Sequence, residues 1–208
     1  MEKLTTKERI LIESLDLFSK KGFDAVSVEE IAQAVGIKAP SLYKHYKSKQ
    51  EIFDGIFVKM KAEYEEKTIS LNMHFDNDTD DSLKYQKLDV EKLITEVKSL
   101  IDYSLENEFV SKFRRLMTIE QYRSKEISKM YTERYVNRML SYHEKIFSHL
   151  INKGLMKNGN PKSMAWQYVS PIITILGICD REPEKKQEMM DEISEHIKQF
   201  TNVYQIEE

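Results

Sequence analysis

From Ile37 to Gln50 the chain reads IKAPSLYKHYKSKQ, with four lysines (Lys38, Lys44, Lys47 and Lys49), one histidine, two tyrosines and no acidic residue. The whole chain has a net charge of −3, so this patch runs against its background. Ammonium groups suit phosphate oxygens, and a cationic patch confined to one short helix is the electrostatic footprint of a DNA reader. Pro40 is tolerated in the first turn of such a helix, Leu42 faces inward and Tyr46 lies one turn on. Ser41, Tyr43, Lys44 and His45 are left to point outward, where they are the candidates for DNA contact. The plain alternative for the lysines is a solvated helix face.

The neighbouring residues supply the frame. Val28, Ile31, Ala32 and Val35 recur at helical spacing, and Gly36 follows where the helix must stop. Ser27 with Glu30 forms a capping box that starts this helix at Val28, and Ser48 with Glu51 forms a second. The cationic segment between them is therefore a compact helix over 39–46, and the whole is a helix-turn-helix. Before it, a helix from Thr5 or Thr6 to Lys21 presents Leu11, Leu15 and Phe18 to the core and stops at Gly22. After it, Phe53, Ile56, Phe57, Met60 and Tyr64 continue an apolar stripe from Ser48 to near Leu71. A helix of that length reaches about 35 Å, enough for a rod joining reader to body.

The stretch SVEEIAQAVGIKAPSLYKHYKSKQEIF resembles the N-terminal domain of the TetR family of bacterial transcriptional repressors. Leu42, Tyr43, His45 and Tyr46 match its Leu-Tyr-x-His-aromatic string, and Lys47, Ser48 and Lys49 match the sequel. The likeness covers about the first quarter of the chain. It implies phosphate contacts from Tyr43 and Lys49, with Lys38, Ala39, Ser41 and Lys44 near base edges. Ser27 and His45 complete the expected DNA-binding set. Tyr46 stands where phenylalanine is commoner, and Val28 cannot make the base contact that an arginine makes in some members. The resemblance further implies a homodimer on a palindromic double-stranded DNA operator and a small-molecule effector.

With six glycines, four prolines and few alternating stretches in 208 residues, the composition argues for an all-α protein. Its one cysteine, Cys179, excludes an internal disulfide and suits a reducing cytosol. The opening MEKLTTKERI lacks the apolar core of a signal peptide, and no run approaches a membrane span, so a cytoplasmic protein without membrane contact is expected. Between Asn72 and Asp89 the text turns polar and rich in aspartate, which reads as a solvated linker. The spacing of Asp76, Asp78 and Asp80 invites a calcium loop, but Asp81 and Lys87 stand where that loop needs glycine and glutamate.

Helical patterns then resume. Val90, Leu93, Ile94, Val97 and Ile101 form one stripe, and Phe109, Phe113, Leu116, Met117 and Ile119 begin another. A long helix from about Ser124 to Lys153 ends at Gly154, and Asn158–Pro161 is a turn. The segment MAWQYVSPIITILGI is apolar nearly all round, and a last helix runs from about Pro183 to Tyr204. In it Met190, Ile193, Ile197, Phe200 and Tyr204 repeat at spacings of three and four, the seam of a lengthwise helix contact. With Trp166 and Ile173 they are the expected dimer interface, in a four-helix bundle shared by two chains, although packing within one chain also explains such a seam. For an effector pocket the candidates are Met60, Tyr64, Tyr103, Phe113, Met117, Tyr131, Tyr135, Met139 and Trp166, since methionines and aromatics line adaptable sites. An apolar or aromatic guest, including a cation, would suit them.

Enzymatic motifs are missing. The five histidines form no zinc pair with an adjacent glutamate, and no phosphate loop or nucleophile elbow occurs. No catalytic residue, metal or cofactor is expected. The sequence therefore predicts an all-α regulator. Residues 1–50 form a three-helix helix-turn-helix DNA-binding domain, joined by a long helix to a helical effector-binding and dimerisation domain over 51–208. A helical ligand-binding or adaptor protein that keeps the fold without using DNA is the alternative.

Overall fold

The computed structural model describes residues 4–70 and 89–206. Apart from Asp89, the polar stretch read as a linker, with its calcium alternative, lies outside these residues. Among the described residues there is no β-strand, and one isolated antiparallel bridge pairs Met156 with Gln205.

Helix α1 (Thr6–Lys21) starts at a capping box between Thr5 and Glu8 and stops at Gly22. Helix α2 (Val28–Val35) starts at the Ser27–Glu30 box and ends at Gly36 in the left-handed conformation. Helix α3 (Ala39–Leu42) is regular for one turn. Its hydrogen bonds then tighten, Lys44 donating to Ser41 and His45 to Leu42, and the segment closes at Tyr46. Helix α4 (Lys49–Ser70) follows, with Ser48 capping through the Glu51 N–H. The first, second and fourth helices thus match the sequence expectation, while the helix expected over 39–46 is regular only over Ala39–Leu42.

Beyond 88 come α5 (Val90–Glu106), α6 (Glu108–Glu120) and α7 (Lys125–Thr132). A π-helical turn over Glu133–Asn137 carries the chain from α7 into α8 (Arg138–Asn152). The long helix expected from Ser124 is therefore real but interrupted, and periodicity alone does not report one extra residue in a turn. Helix α9 (Pro161–Arg181) starts at an Asn160 cap, and a short 3-10 turn leads into α10 (Lys186–Tyr204).

The backbone forms two compact units: Met1–Glu65 with Asn107–Tyr131, and Glu66–Glu106 with Thr132–Glu208. Helix α6 belongs to the first unit. Its core draws Ile10, Leu15 and Phe18 from α1, Ile31 and Val35 from α2, Leu42 from α3, Ile52, Ile56 and Met60 from α4, and Phe113, Leu116 and Met117 from α6.

The second unit packs α5, α8, α9 and α10 around one apolar cluster. Aromatic rings link its elements: Tyr168 lies 4.9 Å from His143 and 5.0 Å from Phe200, and Phe200 lies 4.8 Å from Tyr204. The α10 seam expected at the interface lies in this cluster. Ile193 and Ile197 are 0% exposed, and Met190 and Phe200 are buried beside them. A side chain with no surface left cannot bury more against a second chain. The three-and-four spacing serves α10 against α5 and α9 of its own chain. Trp166, 49% exposed, and the half-buried Ile173 and Tyr204 keep surface of their own.

Candidate nucleic-acid interface

The reader is held by polar contacts as well as by its core. Arg9 of α1 donates to the Val35 carbonyl at the end of α2, where a cation meets the negative end of the helix dipole. Lys21 pairs with Glu30 at 2.7 Å. The Lys21 ammonium and the Ser27 N–H together pull the Glu30 carboxyl down to about 2. Gly55 lets α4 approach closely: a Cβ there would stand 3.0 Å from Leu11 and 3.3 Å from Tyr46. Tyr46 is buried, as an aromatic closing the α3 segment should be.

With Leu42 and Tyr46 buried, the rest of the segment faces solvent. Tyr43 is 50% exposed, and Lys38, Lys44 and His45 are exposed. Ala39 and Ser41 are half-buried on the same short helix. Among the described residues no ion pair or side-chain hydrogen bond ties down Lys38, Lys44 or Lys47. Ser27 is exposed, but its hydroxyl accepts the Glu30 N–H at 3.1 Å as the α2 cap. Lys49 differs from the other lysines. Its ammonium turns back onto its own chain and donates to the carbonyls of Phe23, Val26 and Asp24. What the segment can do chemically is present two ammonium groups, a phenol and an imidazole to an acidic, grooved surface.

The helix-turn-helix matches the family model for bacterial regulatory proteins of the tetR family over residues 10–56. Over 132 residues the chain is 32% identical to IcaR of Staphylococcus aureus, the negative transcriptional regulator of the biofilm operon icaADBC; the match spans 61% of this chain and 70% of IcaR. The chain belongs to the TetR family. It is a DNA-binding transcriptional regulator built on a helix-turn-helix. Solved TetR-family structures share the fold along nearly the whole chain. A regulator from Mesorhizobium loti superposes with a TM-score of 0.67 at 22% identity, covering 97% of each chain. SmeT, repressor of the Stenotrophomonas maltophilia multidrug efflux pump SmeDEF, superposes in its triclosan complex with a TM-score of 0.68 at 18% identity, covering 97% of this chain and 92% of SmeT.

The effector candidates are scattered in this TetR-family chain. Met60, Phe113 and Met117 are fully buried in the first unit, with Tyr64 and Tyr131 half-buried there. Tyr103, Tyr135 and Met139 are half-buried in the second unit, and Trp166 is exposed on α9.

Glu120 is the residue that sequence reasoning missed. It is 3% exposed, accepts the Phe23 N–H at 2.9 Å and has Arg123 at 3.4 Å. A signal was present: with Phe113, Leu116 and Met117 it completes one helical stripe, and an acid on a buried stripe needs partners. No helix of the described residues is long and apolar enough to cross a membrane.

Proposed function

We propose that this regulator is a repressor that binds a palindromic operator as a homodimer in the cytoplasm and is released by a small apolar or aromatic effector. One observation carries the DNA part: a capped helix-turn-helix whose outward face bears Lys38, Tyr43, Lys44 and His45 with no acidic residue from Ile37 to Gln50. In this reading α3 enters the major groove, Tyr43 grips phosphate, and Ala39, Ser41 and Lys44 lie near base edges. Two copies are needed to read two half-sites about 34–36 Å apart. Repression as the sign of control is supported by the relation to IcaR, a negative regulator.

An effector is supported by SmeT, solved with triclosan, and by a Saccharomonospora viridis regulator of the same fold, solved with choline. For the site in this chain we put forward the half-buried Tyr135 and Met139 at the π turn, together with Tyr103. π turns inside α-helices are frequent at functional sites. Helix α4 carries residues of both compact units, so a ligand that favours one arrangement of the body has a covalent path to the reader.

The test is a gel shift with DNA flanking the protein's own gene, at rising salt, with and without triclosan or choline. A retarded band with a stoichiometry of two chains per site is expected. Binding that falls steeply with salt for wild type supports the phosphate role, and weakened discrimination between sequences in Lys44→Ala supports the groove role. A single chain bound per site, or no retardation of any flanking DNA, sinks the reading.

A further inference from the structure

The loop between α8 and α9 holds Asn158 and Gly159, the one asparagine–glycine pair of the sequence. Both residues are exposed. Among the described residues no hydrogen bond holds the Asn158 side chain or the Gly159 N–H. The chain on either side is anchored. Upstream, the Lys157 N–H donates to the Tyr204 carbonyl at 2.7 Å and the Lys157 ammonium to the Val203 carbonyl at 3.1 Å. Downstream, the Asn160 side-chain oxygen accepts the Ser163 N–H at 2.9 Å and caps α9. Glycine suits position 159, because a Cβ there would stand 3.1 Å from the Met164 sulfur and 3.7 Å from the Tyr204 ring.

We infer that Asn158 is a site of spontaneous deamidation, and that the product loosens the start of α9. Asparagine is thermolabile, and a following glycine has no Cβ to block approach to its side chain. The Gly159 nitrogen attacks the Asn158 Cγ, and the new C–N bond closes a five-membered succinimide. The side-chain nitrogen leaves as ammonia, taking the proton that the Gly159 N–H gives up. Water then opens the ring at either carbonyl, leaving aspartate or isoaspartate. The other asparagines of this region are protected. Asn160 precedes Pro161, whose nitrogen has no hydrogen to give. Asn152 lies in α8, and the Lys153 N–H after it donates to the His149 carbonyl. The reaction at Asn158 sets a carboxylate beside the Lys157 ammonium, in competition with the Val203 carbonyl. Isoaspartate also lengthens the main chain by one atom, which must be taken up between the Lys157 anchor and the Asn160 cap.

The experiment incubates the full chain at pH 6 and pH 8, folded and in urea, then cleaves it after lysine and weighs the peptides by mass spectrometry. The folded wild type should gain one mass unit at Asn158, faster at pH 8, where the attacking nitrogen loses its proton more readily. The peptides that carry Asn152 and Asn202 should keep their mass over the same time. Asn158→Gln should gain nothing at 158, because its longer side chain would have to close a six-membered ring. An isoaspartyl methyltransferase should label the aged wild type and not the variant. A folded chain that keeps its mass at Asn158 while the chain in urea gains it overturns the inference, since the fold would then shield the loop. So does a gain at Asn158 no faster than at Asn152. Amide exchange reads the consequence: it should quicken at Lys157 or Ser163 in the aged protein, and unchanged exchange at both overturns the loosening of α9.

Discussion

The Lys112 ammonium lies 2.6 Å from the Asp16 carboxylate and 2.6 Å from that of Glu108, so an α6 lysine bridges α1 and its own helix. Asp16 also pairs with Lys20 at 2.7 Å. Burial raises the Asp16 carboxyl, but the two ammonium groups outweigh it and hold it below the usual carboxylate range. Together with Glu120 on Phe23, this pair ties α6 to the helix-turn-helix by charge as well as by packing.

Asp16→Asn should therefore lower stability by about 1 kcal/mol, since the pair is only partly shielded from water, and lower Tm by about 2–4 °C. The folded-state carboxyl ionises more readily than the unfolded one, so this stabilisation is present above the ordinary carboxylate range and is lost as pH falls through the folded value. Thermal melts of the two proteins at pH 7 and pH 3 check it. Equal Tm at pH 7 would show the bridge to be worth nothing.

Two glycines that end helices should respond differently to alanine. Gly22 has φ 84° and ψ 162°, and a Cβ there would stand 2.6 Å from Arg123 Nη1 and 2.8 Å from Glu120 Oε1. Arg123 is exposed and can swing away, whereas Glu120 is buried and engaged with Phe23. Gly36 has φ 77° and ψ 33°, with nothing within 4 Å of the added atom. Gly36→Ala should cost about 1 kcal/mol for left-handed backbone alone, and Gly22→Ala at least about 2 kcal/mol. Urea unfolding of both variants measures the difference. A milder effect at Gly22 than at Gly36 would contradict the close approach of Glu120.

The local parts of this fold were legible because caps and stops are written in neighbouring residues. Ser27 with Glu30 and the stops at Gly22 and Gly36 placed the first two helices without tertiary information, the start of the first being read as Thr5 or Thr6. The outward face of α3 followed from the burial of Leu42 and Tyr46. The contacts of Lys49 with its own chain were not legible, because its three acceptors lie more than twenty residues upstream, where no spacing rule reaches. The α10 seam was ambiguous for a different reason. A stripe at three-and-four spacing demands a helical neighbour but does not say from which chain, and here α5 and α9 supply it.

His143 in α8 gives the second unit a pH signature. Burial pushes it down to about 4, against the pull of the Met139 carbonyl, which accepts its Nδ1–H at 2.8 Å. The unfolded chain has a histidine near 6.5, so above that pH both states are neutral and stability is complete. Between about 6.5 and 4 the unfolded state takes up a proton that the folded state refuses. Stability should fall there by up to about 1.4 kcal/mol per pH unit. In His143→Phe this component should vanish. Urea unfolding at pH 7, 6 and 5 gives the comparison, and parallel curves for the two proteins would show that the ring titrates freely in the fold.

The burial of the α10 seam separates two substitutions that a dimer seam would have made alike. Ile193 is 0% exposed, so Ile193→Asp places a charge in a dry cluster and should unfold the second unit, at a cost above about 4 kcal/mol. Trp166 is 49% exposed on α9, so Trp166→Glu should leave the fold intact. If the homodimer proposed above uses this face of α9, Trp166→Glu should also shift the protein toward single chains, since a charge at the middle of an apolar contact loses its hydration with no partner in return. Circular dichroism reads the first effect and sedimentation equilibrium the second. A folded, monomeric Ile193→Asp protein would return the seam to the interface, because only a residue shared between chains can lose its partner without loss of its own core.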